Sequence, residues 1–273
     1  MTNQKQNADQ LVDAICALPS DFHEAGVMTA DVLRMMARQL SSIDVRYSAE
    51  TGSGKTTLLF SHYSAHHTVF ARDRFGDFDA RSMSSVQSSE LFQPETTHFV
   101  IGSTQETLPQ HRFEHPLDVA LIDGPHGYPF PELEYYYFYP QLREGGLLLL
   151  DDIHIPTLWR MFEFIREDEM FELVEVCGWT AVFRRTAAEC FNPLGDGWWK
   201  QGFNAARWET ARELTVARLR QLQSTDDNDS PADIRATFAS RLNRVIYRFL
   251  SASFGQRFAD RVRFAIKAFK AAG

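Results

Sequence analysis

The sequence predicts an α/β fold: a mostly parallel sheet covered by helices on both faces, finished by an antiparallel hairpin, with helical segments before and after it. Three observations predict this. Short strand-like runs, "IDVRYS", "HTVFA", "THFVIG", "DVALID" and "GLLLLDD", follow one another from residue 43 to residue 152 with turns and helical stretches between them, the order that βαβ units produce. Several of these runs are apolar throughout instead of alternating, as strands buried on both faces are. Beyond them, "FELVEVC" and "WTAVFRR" flank Gly178 closely enough to pair as a terminal hairpin.

Ahead of the first strand, the opening eight or so residues are polar and are expected to be disordered. "ADQLVDAICAL" and "TADVLRMMARQL" then carry helical patterns, with Thr29 placed to cap the second. Both helices read as lid or flank rather than core. The predicted organisation is a helical flank over residues 1–42, the α/β domain over 43–186, and a helical, basic extension over 187–273. In the extension, helix follows "FNPLGDGWW", breaks at "STDDNDSPAD" and resumes to the end.

Composition fits a globular chain, with 44% apolar and 23% charged residues among 273. No apolar run approaches the roughly 20 residues needed to cross a bilayer, and the first residues hold no apolar signal core, so a cytoplasmic location is expected. Cys16, Cys177 and Cys190 form no C-x-x-C pair, which leaves reduced, buried thiols. The net charge of −8 is uneven: residues 1–198 hold 14 basic and 29 acidic residues, residues 199–273 hold 14 and 7. An acidic body suggests no nucleic-acid partner, and the change of sign gives the tail a partner of its own. Within the tail, Phe238, Leu242, Val245, Ile246, Phe249 and Leu250 recur at helical spacing with Arg241, Arg244 and Arg248 between them. Such a helix either packs on its own domain or on a second subunit, making a homo-oligomer, or lies on an anionic membrane surface, where a lipid-linked glycan would be an attractive substrate.

The stretch "SAETGSGKTT" at residues 48–57 admits two chemistries. As a phosphate loop, G-x-x-x-x-G-K-[ST], it supplies Gly54, Lys55 and Thr56 but has Ala49 at the first position, and Glu50 would repel a triphosphate. As E-x-G-x-G, it puts an acid at the end of the first strand and Gly52 and Gly54 where the chain turns tightly against a ligand. Asp73 follows Gly54 by 19 residues, the spacing at which an acid after the second strand accepts from both ribose hydroxyls. Glu50 then suits a cofactor bearing an ammonium and a sulfonium.

At residues 43–185 the chain resembles the class I S-adenosylmethionine-dependent methyltransferases: "AETGSGKTT", "FARD", "VIGSTQETLP" and "DVALIDGPHGY" look like their first four motifs in order. That resemblance implies a Rossmann-like methyltransferase fold. It also implies that Glu50, Gly52 and Gly54 line the methionine end of S-adenosylmethionine, that Asp73 holds its ribose, and that Ser103 lies near its adenine, with Asp123 also at the cofactor.

The reacting end is expected beyond the carboxyl ends of the strands, where Asp123 and the pair Asp151-Asp152 stand. Three carboxylates converging there repel one another unless a cation joins them, and an all-oxygen set favours Mg²⁺, Mn²⁺ or Ca²⁺ over zinc, with Mg²⁺ the ion expected. The arrangement resembles the metal-dependent O-methyltransferases, nearer to their sugar type than to their catechol type because Asp152 stands where the latter have an amide. In "DGPH" the spacing from Asp123 to His126 is similar to that of the sugar-modifying members, which implies His126 as the base that deprotonates the acceptor hydroxyl, with His154 the second candidate. "YPFPELEYYYFYPQL" holds seven aromatics from Tyr128 to Tyr139. Most are expected to pack a helix on the sheet, with Tyr128 and Phe130 placed to wall a substrate site.

Overall fold

The computed structural model describes residues 2–19, 22, 28–75, 78–79, 81–192 and 195–226. Seven strands form the main sheet: β1 (Tyr47–Thr51), β2 (His66–Ala71), β3 (Thr97–Ile101), β4 (Leu117–Ile122), β5 (Leu142–Leu150), β6 (Phe171–Cys177) and β7 (Thr180–Arg185). Their spatial order is β3-β2-β1-β4-β5-β7-β6. The first five run parallel, and β7 is antiparallel to both β5 and β6. This is a Rossmann-like arrangement closed by an antiparallel hairpin, as expected, and the direction of winding reverses between β1 and β4.

Helices α1 (Thr2–Cys16), α2 (Ala30–Leu40), α3 (Lys55–Tyr63), α4 (Arg81–Gln87), α5 (Thr104–Thr107), α6 (Phe130–Phe138) and α7 (Pro156–Arg166) surround the sheet, and Gly202–Asp226 is helical as well. Successive residues of a strand point to opposite faces, and over residues 119–122 of β4 and 147–150 of β5 both faces are apolar. Ala120, Ile122, Leu148 and Leu150 pack with Tyr135, Phe138, Leu158 and Phe162 of α6 and α7. Val119, Leu121, Leu147 and Leu149 pack with Leu33 and Met36 of α2, Ile15 of α1 and Leu59 of α3. Burial of these leucines, each worth about 2 kcal/mol or more, is what holds the switch point in a rigid frame.

Three expectations are corrected. The helices α1 and α2 are core rather than lid or flank: Ile15, Leu33 and Met36 are completely buried, because an uncovered face of a parallel sheet would expose the second row of β4 and β5. Helix α1 also takes in most of the first residues expected to be disordered, a polar segment without glycine or proline to oppose helix. The first strand starts later than "IDVRYS" suggests, because the Asp118 carboxylate accepts from the Arg46 and Tyr47 N–H groups at 2.7 and 2.8 Å and ties down the entry to β1. By contrast, Thr29 caps α2 through Val32 N–H, and Gly178, at φ +57°, turns the hairpin, as expected.

The chain divides into two compact units, residues 1–206 and 207–273. The amphipathic pattern at residues 238–269 lies outside the described residues. No helix among the described residues is long and apolar enough to cross a membrane.

Candidate active site

Glu50 and Thr51 end β1 beside Leu121 and Ile122 of β4, so the turn "TGSG" and the loop from Asp123 leave the sheet side by side. Gly52 has φ +88°, and a Cβ there would stand 2.4 Å from the Asp123 carbonyl oxygen; only glycine allows both the turn and the approach. Gly54 is extended, and its N–H donates to Thr57 Oγ1 at 3.0 Å as α3 begins.

The Glu50 side chain is fully buried. One of its oxygens, Oε1, accepts from the Thr57 hydroxyl and lies 3.2 Å from His67 Nε2. Ser48 Oγ sits 2.7 Å from His67 Nδ1 and fixes that ring from the other side. The second oxygen, Oε2, has no protein partner. A buried carboxylate oxygen left without a donor is costly unless a ligand supplies one, so Glu50 fits a cofactor cation.

Asp73 is exposed, two residues past β2. Ser103 is buried after β3, with its hydroxyl donated to Glu106 Oε2 at 3.0 Å, so its side chain is engaged within the first turn of α5. Glu50, Asp73 and Ser103 thus follow three neighbouring strands at one end of the sheet.

At the ends of β4 and β5 the structure brings together Asp123, His126 and Asp152, with one ligand atom of each within 4.8 Å of the others. His126 Nε2 lies 3.2 Å from Asp152 Oδ2 and 3.9 Å from Asp123 Oδ1. Asp152 is held at φ +55°, a left-handed conformation uncommon for residues other than glycine and tolerated best by aspartate and asparagine. Asp151, expected in the same set, instead accepts from the Thr180 hydroxyl. His154 stands on the far side of Asp152, Nδ1 at 3.5 Å from Oδ1, and its ring meets that of Trp179 at 5.0 Å.

Residues 49–153 match the family model described as "Methyltransferase domain". This segment, from β1 to the loop after β5, is similar to methyltransferase domains. Solved structures similar to it include the O-methyltransferase TomG of Streptomyces achromogenes, involved in tomaymycin synthesis and bound to SAM, at 13% identity over 67% of this chain and 90% of that one, TM-score 0.46. A putative caffeoyl-CoA O-methyltransferase from Staphylococcus aureus is similar at 12% identity over 66% and 99%, TM-score 0.47. An O-methyltransferase from Bacillus cereus in complex with SAH is similar at 14% identity over 67% and 91%, TM-score 0.45. No curated protein matches the chain in sequence.

The acidic cluster is electrostatically expensive. Burial pushes the Asp123 carboxyl up to about 7, with the charges of Asp151, Glu50 and Asp152 adding to the rise and His126 opposing it. Burial raises Asp151 as well, while Asp123 and the other acids raise His126. A hard cation among Asp123, Asp152 and His126 would offset that repulsion, so the donor set fits a divalent metal.

Sequence reasoning missed four residues. Glu134 of α6 is fully buried and pushed up to about 7, mainly by burial, with the Thr51 hydroxyl opposing the rise. Thr51 Oγ1 donates to Glu134 Oε2 at 2.7 Å and accepts from the Asp123 N–H at 3.1 Å, so one hydroxyl ties α6, β1 and the Asp123 loop together. His67 and Trp179 are the others. Nothing in "PELEYYYF" or "CGWT" marks Glu134 or Trp179, whereas the alternation of "SAET" does place Ser48 and Glu50 on one side of β1. Of the aromatic run, Tyr135, Phe138 and Tyr139 are buried, whereas Tyr128 and Tyr136 are exposed.

Proposed function

We propose that this domain is an O-methyltransferase that methylates a hydroxyl of a sugar, polyol or related small molecule carrying a second oxygen next to the first, with the help of a divalent metal. The observation that carries the reading is the juxtaposition of the Asp123, His126 and Asp152 side chains with the buried, half-partnered Glu50 at adjacent strand ends. Bound S-adenosylmethionine supplies an electrophilic methyl group, and a magnesium ion supplies the positive charge that acidifies a nearby hydroxyl.

Glu50 Oε2 would accept from the methionine ammonium, Asp73 would take the ribose hydroxyls, and the backbone at Gly52 and Gly54 would give the cofactor close access. Ser103 would lie near the adenine. Asp123 and Asp152 would hold the metal, supported by Asp151, which accepts from the Thr180 hydroxyl. His126 would take the proton that the acceptor hydroxyl releases on methylation. Alignment of the two reactants contributes most of the acceleration.

One observation favours a second role for His126: its Nε2 lies among the carboxylate oxygens and could itself be a ligand. Magnesium titration separates the roles, because His126→Ala keeps metal affinity if the residue is the base and loses it if the residue is a ligand. The phosphate-loop reading is disfavoured by four carboxylates around the site. Calorimetric titration decides between the two chemistries: S-adenosylmethionine should bind the wild type and Lys55→Ala and fail with Glu50→Gln. A chain that binds ATP through Lys55 and ignores S-adenosylmethionine would end the proposal. Activity unaffected by EDTA would remove the metal from it.

A further inference from the structure

Trp179 is a large, exposed side chain whose ring meets that of His154 beside the acidic cluster. It occupies the turn between β6 and β7, next to Gly178, and is 61% exposed. A tryptophan brings an apolar surface of roughly 150–250 Å² that folding normally buries, and a two-residue hairpin turn has no requirement for one.

The turn is fixed to the catalytic loop at two points. The Trp179 carbonyl accepts from Ile153 N–H at 2.9 Å, and the next residue, Thr180, donates its hydroxyl to Asp151. Its indole also contacts the imidazole of His154, ring centroids 5.0 Å apart, and that imidazole reaches Asp152 at 3.5 Å. The exposed indole is therefore held one imidazole away from a carboxylate of the cluster, at the same end of the sheet. Tyr128, 77% exposed, stands on the other loop that carries the cluster, two residues past His126. Polar groups that would hold two oxygens thus lie beside a flat apolar surface.

We propose that Trp179, backed by His154, is the platform for the acceptor, and that the acceptor is a ring bearing two adjacent oxygens. This rests on the methyl-transfer reading above. A ring, whether the face of an aromatic diol or the C–H face of a pyranose, can cover an indole while its oxygens point to the Asp123–Asp152 side. An open-chain diol offers the oxygens without the face. Trp179 then selects the acceptor without touching the cofactor.

The test is binding to the full chain loaded with S-adenosylhomocysteine and Mg²⁺, followed by saturation-transfer NMR and titration. The probes are catechol, methyl α-D-mannopyranoside and propane-1,2-diol. At least one ring probe should bind, Trp179→Ala should weaken it about tenfold, and Trp179→Phe should stay within about threefold of wild type, as expected for a stacked aromatic. Propane-1,2-diol and S-adenosylhomocysteine should bind both variants as they bind wild type. Which ring probe responds tells an aromatic acceptor from a sugar. The proposal is overturned if neither ring probe binds the loaded wild type, if Trp179→Ala leaves their affinity unchanged, or if it changes only the mass in solution, which would make the indole a contact between copies of the chain. A wild type that binds no S-adenosylhomocysteine would instead bring down the methyl-transfer reading itself.

Discussion

Replacing Glu134 with glutamine should flatten the pH dependence of folding in the metal-free, cofactor-free protein. Burial moves this carboxyl from 4.5 to about 7. An acid whose folded pKa lies above its unfolded value holds more protons when folded, so its contribution favours folding at low pH and declines as pH rises through that window. At about 1.36 kcal/mol per unit, the decline amounts to about 3 kcal/mol in all, with about 2 kcal/mol of it between pH 5 and pH 8. Glutamine stays neutral throughout and keeps an oxygen to accept from Thr51, so it removes this share of the slope. A buried amide N–H₂ without an acceptor costs about 1–3 kcal/mol, but that penalty is the same at both pH values and cancels in the comparison. Urea unfolding of both proteins at pH 5 and pH 8, with EDTA present, reads the difference directly. Parallel pH profiles would refute the inference that Glu134 is held in its acid form by burial.

Two further perturbations test the frame around the site. Gly52→Ala places a Cβ 2.4 Å from the Asp123 carbonyl at φ +88°; strain and backbone displacement together should cost about 2 kcal/mol or more and weaken S-adenosylmethionine binding in the same titration that shows wild-type affinity at unrelated glycines. Arg38→Ala removes the guanidinium that, with Gln39, holds the Glu175 carboxyl below its ordinary value. Because that pair is exposed, the loss should stay under about 1 kcal/mol; it should be present at neutral pH and vanish as pH falls through the lowered Glu175 value, as thermal melts at pH 7 and pH 3 would show.

The sheet was legible because β4 and β5 carry unbroken apolar runs, and because glycine and acid punctuate the strand ends. Glu50, Gly52, Asp123 and Asp152 were legible for the same reason: they occupy fixed offsets from those runs. What could not be read was which neighbours the side chains choose. The pair Asp151-Asp152 looks equivalent in sequence, yet Thr180, 29 residues on, draws the first away while the positive φ of the second turns it toward His126. The helices α1 and α2 were misread because amphipathic periodicity shows that a helix has a buried face without showing what that face meets. Glu134 was invisible because a helical acid is ordinarily solvated; only Thr51, on another element, and the close approach of Gly124 show that it is buried.

Thr51 is where the frame and the site meet. Its hydroxyl donates to Glu134 and accepts from Asp123 N–H, so Thr51→Val, a change of nearly equal volume, leaves a buried carboxyl without its donor and a backbone N–H without its acceptor. Each orphaned group costs about 1–3 kcal/mol, so the variant should lose about 2–6 kcal/mol, with Thr51→Ser recovering most of it. A hydroxyl serving packing alone would make valine nearly neutral, which urea melts would reveal. The same change frees the start of the Asp123 loop, so Thr51→Val should weaken magnesium binding more than S-adenosylmethionine binding. Glu50, the residue proposed for the methionine end, draws its hydrogen bonds from Thr57 and His67 and keeps them when Thr51 is changed.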